Sequence, residues 1–273
     1  MRAIMRVPFI KMHGLGNDFV VLDKREQNLP DLTQTTASAL ADRNTGIGCD
    51  QLVLLEHSTQ ADFRMRIFNA DGSEVGACGN ATRAVTLLHG KEARIETQGG
   101  ILVASPTDDG ASVDMGKPRF EWDAIPLAYP MDTLSMPVAW GPLTGPGAVS
   151  VGNPHVIAFV DDCESVPLDD LGPEIETDPL FPERVNVNVA TIENRTRIRL
   201  RVWERGAGLT RACGTGACAT AVHAMRRKLV DASVTVALPG GDLQIEWQAG
   251  ETIRMTGPAN ESFRGTFKWG DYA

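Results

Sequence analysis

Apolar positions in this chain fall into short runs, at 19–22, 52–55, 63–68, 101–104, 156–160, 198–203, 234–238 and 243–247. Runs of this length, rich in β-branched and aromatic side chains, predict strands. Three segments carry apolar residues at helical spacing instead. One covers about 32–42. A second opens after Cys78, places Ala81, Ala84, Val85 and Leu88 on one face, and stops at Gly90. A third opens after Cys213 with Ala217, Ala221, Met225 and Leu229 in line. Many strands with few helices predict an α+β fold, mainly antiparallel. Prolines crowd 118–154, which predicts connections between elements and sets the expected domains at 1–124 and 125–261.

Sliding the chain against itself reveals a repeat. Gly16-Asn17-Asp18-Phe19-Val20-Val21 resembles Gly152-Asn153-Pro154-His155-Val156-Ile157, and the stretch from Gln51 to Glu56 resembles that from Asn188 to Glu193. Ala77-Cys78-Gly79-Asn80 likewise resembles Ala212-Cys213-Gly214-Thr215. The three matches share nearly one displacement, which predicts two halves of the same fold. Duplicated folds commonly place equivalent loops on either side of a cleft, so the two Ala-Cys-Gly turns are expected to confront each other there. Each cysteine precedes a predicted helix, where unpaired backbone N–H groups and the positive end of the dipole favour an anion and are expected to lower a thiol's pKa. The amides of Gly79, Asn80, Gly214 and Thr215 could grip a carboxylate, and two thiols on opposite faces of a carbon could remove and return its proton with inversion.

Composition narrows the field. The 273-residue chain carries a formal net charge of -9, which opposes attraction to nucleic acid or anionic membranes. Residues 1–10 mix arginines and a proline into a short apolar stretch, neither a signal peptide nor a membrane span, so a cytoplasmic location is expected. Five cysteines without a CxxC pair predict thiols in a reducing compartment, with Cys49, Cys163 and Cys218 as small core residues. The five histidines form no HExxH and do not cluster with cysteines at metal spacing, and there is no P-loop or complete dinucleotide fingerprint. No metal and no cofactor are expected.

Over essentially its whole length the chain resembles the diaminopimelate epimerase family. The resemblance rests on Lys11-Met12-His13-Gly14-Leu15-Gly16-Asn17-Asp18-Phe19, Asp50-Gln51, Phe68-Asn69-Ala70-Asp71-Gly72-Ser73-Glu74, Ala77-Cys78-Gly79-Asn80, Gly152-Asn153-Pro154-His155, Val187-Asn188, Glu204-Arg205-Gly206 and Ala212-Cys213-Gly214-Thr215-Gly216. It implies a cofactor-independent isomerase interconverting LL- and meso-diaminopimelate in lysine and peptidoglycan-precursor biosynthesis. It also implies two pseudo-symmetric domains, each a curled sheet around a central helix, with the active site between them. The final strand, about 262–273, is expected to return to the first domain, and a homodimer is expected. By the same resemblance Cys78 and Cys213 are the two bases, with His155 and Glu204 placed to assist proton movement. Asn17, Asn69, Asn153, Asn188 and Arg205 hold the distal amino-acid end, and Gln51, Gly79, Asn80, Glu204, Gly214 and Thr215 complete the binding set. The chain departs from the commoner Gly-Asn-Gly-Ala-Arg with Gly79-Asn80-Ala81-Thr82-Arg83, and has Cys49 where an aromatic residue is frequent.

Three rivals are distinguishable. A proline or hydroxyproline epimerase would also use paired cysteines, but a cyclic imino acid has no second amino-acid end for Arg205 and the asparagines. A thiol redox sensor or peroxidase would keep a functional disulfide and has no use for the distal set. A binding-only protein would keep its affinity without either cysteine.

Overall fold

A computed structural model describes residues 5–76 and 78–273. Ala77 of the first Ala-Cys-Gly turn and part of the 1–10 stretch lie outside the described residues. The chain divides into two compact units, Met1–Val113 with Gly257–Ala273, and Asp114–Thr256. The division precedes the expected 124/125 boundary because the intervening segment bonds into the second unit: the Met115 amide donates to the Ile253 carbonyl, and Arg119 exchanges backbone bonds with Ser150. The proline-dense stretch likewise belongs to that unit, contributing Ile125, Leu127, Met136, Trp140 and Leu143 to its core.

In the first unit the order is β1 (Arg6–Gly14), β2 (Asn17–Asp23), α1 (Gln34–Ala41), β3 (Gln51–Glu56), β4 (Phe63–Asn69), β5 (Glu74–Val75), α2 (Gly79–His89), β6 (Ala93–Thr97), β7 (Gly100–Thr107) and β8 (Gly110–Asp114). β1 pairs antiparallel with β2, β2 parallel with β3, β3 antiparallel with β4, β4 parallel with β6, and β6 antiparallel with β7. The Thr33 hydroxyl caps α1 by accepting from the Thr36 amide at 3.1 Å. Gly90 ends α2 in the left-handed region at φ 73°, which glycine adopts without Cβ strain. Helix α2 is buried from Asn80 to Thr86 and packs on β1 and β7.

The second unit repeats this plan. After the hairpin β9 (Ala139–Trp140) and β10 (Leu143–Thr144) come β11 (Gly147–Ser150), β12 (Pro154–Phe159), α3 (Leu168–Glu176), β13 (Asn186–Asn194), β14 (Arg197–Glu204), β15 (Gly208–Thr210), α4 (Gly214–Arg226), β16 (Ser233–Leu238), β17 (Gly241–Glu246) and β18 (Arg254–Pro258). Again β12 and β13 are parallel, β13 and β14 antiparallel, and β14 and β16 parallel. Both sheets are therefore mixed. Helix α4 is buried except at Thr215, Met225 and Arg226 and packs on β11, β12, β13, β14, β16 and β17. A helix buried nearly all round is one its sheet wraps, and its run of alanines lets the strands approach. At Gly147 a Cβ would collide with the His223 ring. Finally β19 (Asn260–Lys268) pairs antiparallel with β1, so the chain end closes the first unit. Among the described residues no helix is long and apolar enough to cross a membrane.

The ladders correct one detail of the repeat. Leu52 opposite Phe68 matches Val187 opposite Trp203, and Ile67 opposite Val75 matches Val202 opposite Thr210. That displacement is the one separating Cys78 from Cys213. Gln51 therefore corresponds to Asn186, not to Asn188, and Asn69 corresponds to Glu204. The apolar run after Gln51 resembles both candidate stretches, and only hydrogen-bond register separates them.

Candidate active site

In the first unit Cys78 stands at the N-cap of α2 with extended backbone, half-buried. Its thiol lies 3.8 Å from Asn17 Oδ1. The same oxygen accepts from Asn80 Nδ2 at 3.2 Å, while Asn17 Nδ2 donates to Asp50 at 3.1 Å. Asn80 is held by Arg83, which is fully buried and donates to Asn80 Oδ1 at 2.9 Å and to the Pro258 carbonyl at 3.3 Å. Behind Asn17, Asp18 takes bonds from Arg43 and Lys11 and from the Asp50 amide. Burial would raise the Asp18 pKa, but these donors outweigh it and hold the carboxyl far below the usual carboxylate range. Gln51 and Asn69 form a neighbouring pair across β3 and β4, with Gln51 Nε2 donating to Asn69 Oδ1 at 3.1 Å and Asn69 Nδ2 donating to Ser73.

In the second unit Cys213 holds the equivalent N-cap of α4 and is 4% exposed. Its sulfur accepts from the Gly216 amide at 3.4 Å, lies 3.5 Å from Thr215 Oγ1, and donates to Glu204 Oε2 at 3.1 Å. Thr210 Oγ1 donates to the other Glu204 oxygen at 2.5 Å. The expectation of a depressed thiol pKa fails here: burial, and then the Glu204 charge, push Cys213 well above the ordinary thiol value, against the Thr215 and Gly216 donors. A helix start lowers a pKa only when desolvation and a facing carboxylate do not exceed it.

His155, fully buried on β12, does not meet the thiol directly. Its Nε2 lies 3.0 Å from Asn153 Oδ1 and its Nδ1 lies 3.2 Å from Asn188 Nδ2. Burial drives its pKa down to about 3, so it is neutral near pH 7. Asn153 Nδ2 continues to Thr215 Oγ1 at 3.3 Å. Asn188 is fully buried, and its Nδ2 also donates to the Val156 carbonyl at 2.9 Å. Arg205 is exposed; its Nη1 donates to the Glu183 carbonyl at 2.8 Å and its amide donates to Asn186 Oδ1.

Four supporting residues escaped the sequence reading. Asn186 ties the Arg205 turn to the Pro154 carbonyl. Thr210 orients Glu204, and Arg83 orients Asn80. Glu176, 6% exposed on α3, accepts from Trp203 Nε1 at 2.7 Å and from the Gly206 amide at 3.0 Å, bracketing the Glu204-Arg205 turn. Correct register of the repeat would have pointed to Asn186, as the partner of Gln51.

The family model described as diaminopimelate epimerase matches residues 9–121 and 147–261. A protein named diaminopimelate epimerase from Erythrobacter litoralis is 68% identical over 98% of this chain and 100% of its own length. One of the same name from Rhizorhabdus wittichii is 64% identical, covering 95% of this chain and 94% of its own. Solved structures share the fold at low identity. A phenazine biosynthesis protein of the PhzF family from Bacillus anthracis matches at TM-score 0.69 and 16% identity, over 97% of this chain and 99% of its own. A hydroxyproline epimerase from Agrobacterium vitis matches at TM-score 0.69 and 17% identity, over 98% of this chain and 94% of its own.

Proposed function

The chain belongs to the diaminopimelate epimerase family, and we propose that it interconverts LL- and meso-2,6-diaminopimelate by a two-thiol mechanism without a cofactor, as an isomerase of lysine and peptidoglycan-precursor biosynthesis. The observation that carries the mechanism is the placing of one cysteine at the N-cap of each buried helix, at matching positions of the two units. In one direction Cys78 as thiolate takes the α-proton while the Cα–H electron pair delocalises into the substrate carboxylate. The amides of Gly79, Asn80, Gly214 and Thr215 stabilise that charge. Cys213 as thiol returns a proton to the opposite face, leaving the enzyme with the two protonation states exchanged. Reversal restores them. The thiol donating to Glu204 suits Cys213 to start as the acid.

Asn17, Asn69, Asn153, Asn188 and Arg205 hold the distal amino-acid end, with Gln51 completing the binding set, amide oxygens accepting from its ammonium and the guanidinium donating to its carboxylate. We place the enzyme in the cytoplasm as a homodimer, an assembly that light scattering of the purified protein measures directly. Function is tested by incubating reduced protein with LL-diaminopimelate in D₂O and following inversion and α-hydrogen exchange by NMR. Formation of the meso isomer with deuterium at the inverted centre is expected. Folded protein with free thiols that inverts trans-4-hydroxy-L-proline but leaves diaminopimelate untouched would overturn the substrate.

A further inference from the structure

The buried amide of Asn188 has one orientation open to it. Its Nδ2 faces two backbone carbonyls, Val156 at 2.9 Å and Asn186 at 3.3 Å. Turning the amide over would set its oxygen against those two acceptors. The Nδ2 edge is thus fixed as donor even though Asn188 Oδ1, buried, finds no hydrogen-bond partner. That oxygen lies where a Cβ on Gly216 would be 2.6 Å away, so glycine is needed in the first turn of α4.

The fixed donor sets the polarity of everything beyond it. His155 Nδ1, 3.2 Å from Asn188 Nδ2, must accept, so the ring proton sits on Nε2. Nε2–H then donates to Asn153 Oδ1 at 3.0 Å. That turns Asn153 Nδ2 towards Thr215 Oγ1 at 3.3 Å, and the hydroxyl must accept. A hydroxyl that accepts there keeps its single proton for its other neighbour, Cys213 Sγ, at 3.5 Å. On its other side the sulfur faces Glu204, an acceptor suited to the thiol form.

Resting on the two-thiol reading of the function, we propose that Asn188 is a positioning residue that acts through His155, Asn153 and Thr215 along a one-way hydrogen-bond chain, which aims the Thr215 hydroxyl as a hydrogen-bond donor at the Cys213 thiolate. Cys213 then has a dedicated partner for each protonation state: Glu204 for the thiol, Thr215 with the Gly216 amide for the thiolate. His155 in this arrangement is a neutral link and exchanges no proton with substrate. Each turnover needs Cys213 in both states, and the chain eases the ionised one without adding a charge.

The test is the pH dependence of Cys213 carboxymethylation by iodoacetamide, followed by peptide mass spectrometry on the full-length protein, with ring ¹⁵N NMR of His155. The unaltered protein is expected to show the Nε2–H tautomer at pH 7. Thr215→Val is expected to raise the Cys213 titration midpoint by about one unit, a rate loss of about tenfold below the midpoint, and Thr215→Ser to restore it. Asn188→Ala is expected to raise the midpoint too, with the double variant no higher than Thr215→Val alone. Additive shifts, an unmoved midpoint in Asn188→Ala, or an Nδ1–H tautomer would overturn the proposal. Should Asn188→Ala fail to fold, the tautomer in the unaltered protein and the Thr215 pair decide. Thiol titration needs no substrate, so failure to invert diaminopimelate would sink the functional reading and leave this result standing.

Discussion

At matching ladder positions the two units carry different chemistry. Where the second has Glu204, the first has Asn69; where the second has His155, the first has Phe19; and Cys213 is buried where Cys78 is half-exposed. Cys213 sits between a carboxylate and a hydroxyl, whereas Cys78 faces the Asn17 amide oxygen, which also accepts from Asn80. The same backbone thus presents one thiol buried beside a carboxylate and the other in a wetter setting beside an amide oxygen. Inverting a carbon needs opposite protonation states at the two positions, and unequal surroundings are a direct way to bias which is which.

Removing either sulfur should have the largest effect. Cys78→Ala and Cys213→Ala are each expected to lower inversion by about 10³- to 10⁴-fold while substrate binding, measured by calorimetry, is largely kept. Substantial inversion in either variant would show that the missing cysteine is not one of the two bases.

Acidification should separate the units next. His155 and His223 are buried in the second unit with pKa values near 3, both held down chiefly by burial. A pKa below the unfolded value of about 6.5 means that the unfolded chain binds the extra proton first. Their contribution is therefore full above pH 6.5 and lost as pH falls towards 3, by about 2 kcal/mol for each imidazole at pH 5. In the first unit Asp18 has its pKa depressed, so its contribution is present above the unfolded carboxyl value and fades only in stronger acid. Four of the five tryptophans, Trp122, Trp140, Trp203 and Trp247, lie in the second unit, so urea denaturation followed by fluorescence at pH 7 and pH 5 reports mainly on it. Equal stability at the two pH values would show that the imidazoles titrate normally.

Glu204→Gln should give two readouts of opposite sign. Removing the carboxylate charge lowers the Cys213 titration midpoint, because that charge raises it, so alkylation near neutral pH becomes faster. Inversion nevertheless should slow by about 10²-fold, since the thiol loses the acceptor that orients its proton. Both rates moving the same way would mean that Glu204 acts on the thiol by charge alone.

The sequence made the cysteine turns, the helices after them and most strands legible, because helix-start context and period-two runs are local signals. It did not reveal α3. Gly172 and Pro173 argue against a helix there, yet one forms because Leu168, Gly172 and Ile175 bury against the unit's core, and a Cβ at Gly172 would stand 2.5 Å from the Trp203 ring. Its counterpart α1, between the equivalent strands, is legible from its apolar spacing, so the repeat holds the missing information. The raised Cys213 pKa is hidden from the sequence for a related reason. Burial and the Glu204 contact are long-range facts, absent from the residues flanking Cys213 in the chain.

The smallest predicted effect comes from that overlooked helix. The two Glu176 oxygens serve different donors, one the Trp203 indole and the other the Gly206 amide with Arg184, and Trp203 and Gly206 lie on either side of Glu204 and Arg205. Glu176→Gln keeps the shape but turns an amide N–H₂ towards one of those N–H groups, a donor facing a donor. Leaving that group unsatisfied should cost about 1–3 kcal/mol of stability in urea denaturation. Since the turn it fixes carries Arg205, KM for diaminopimelate should rise about tenfold, equivalent to about 1.4 kcal/mol of lost binding, with kcat changing less. The first unit has Thr36 and Ala37 among the buried residues of α1 and no carboxylate there, so no substitution on α1 should reproduce that split. A Glu176→Gln protein that loses stability at unchanged KM would confine Glu176 to folding.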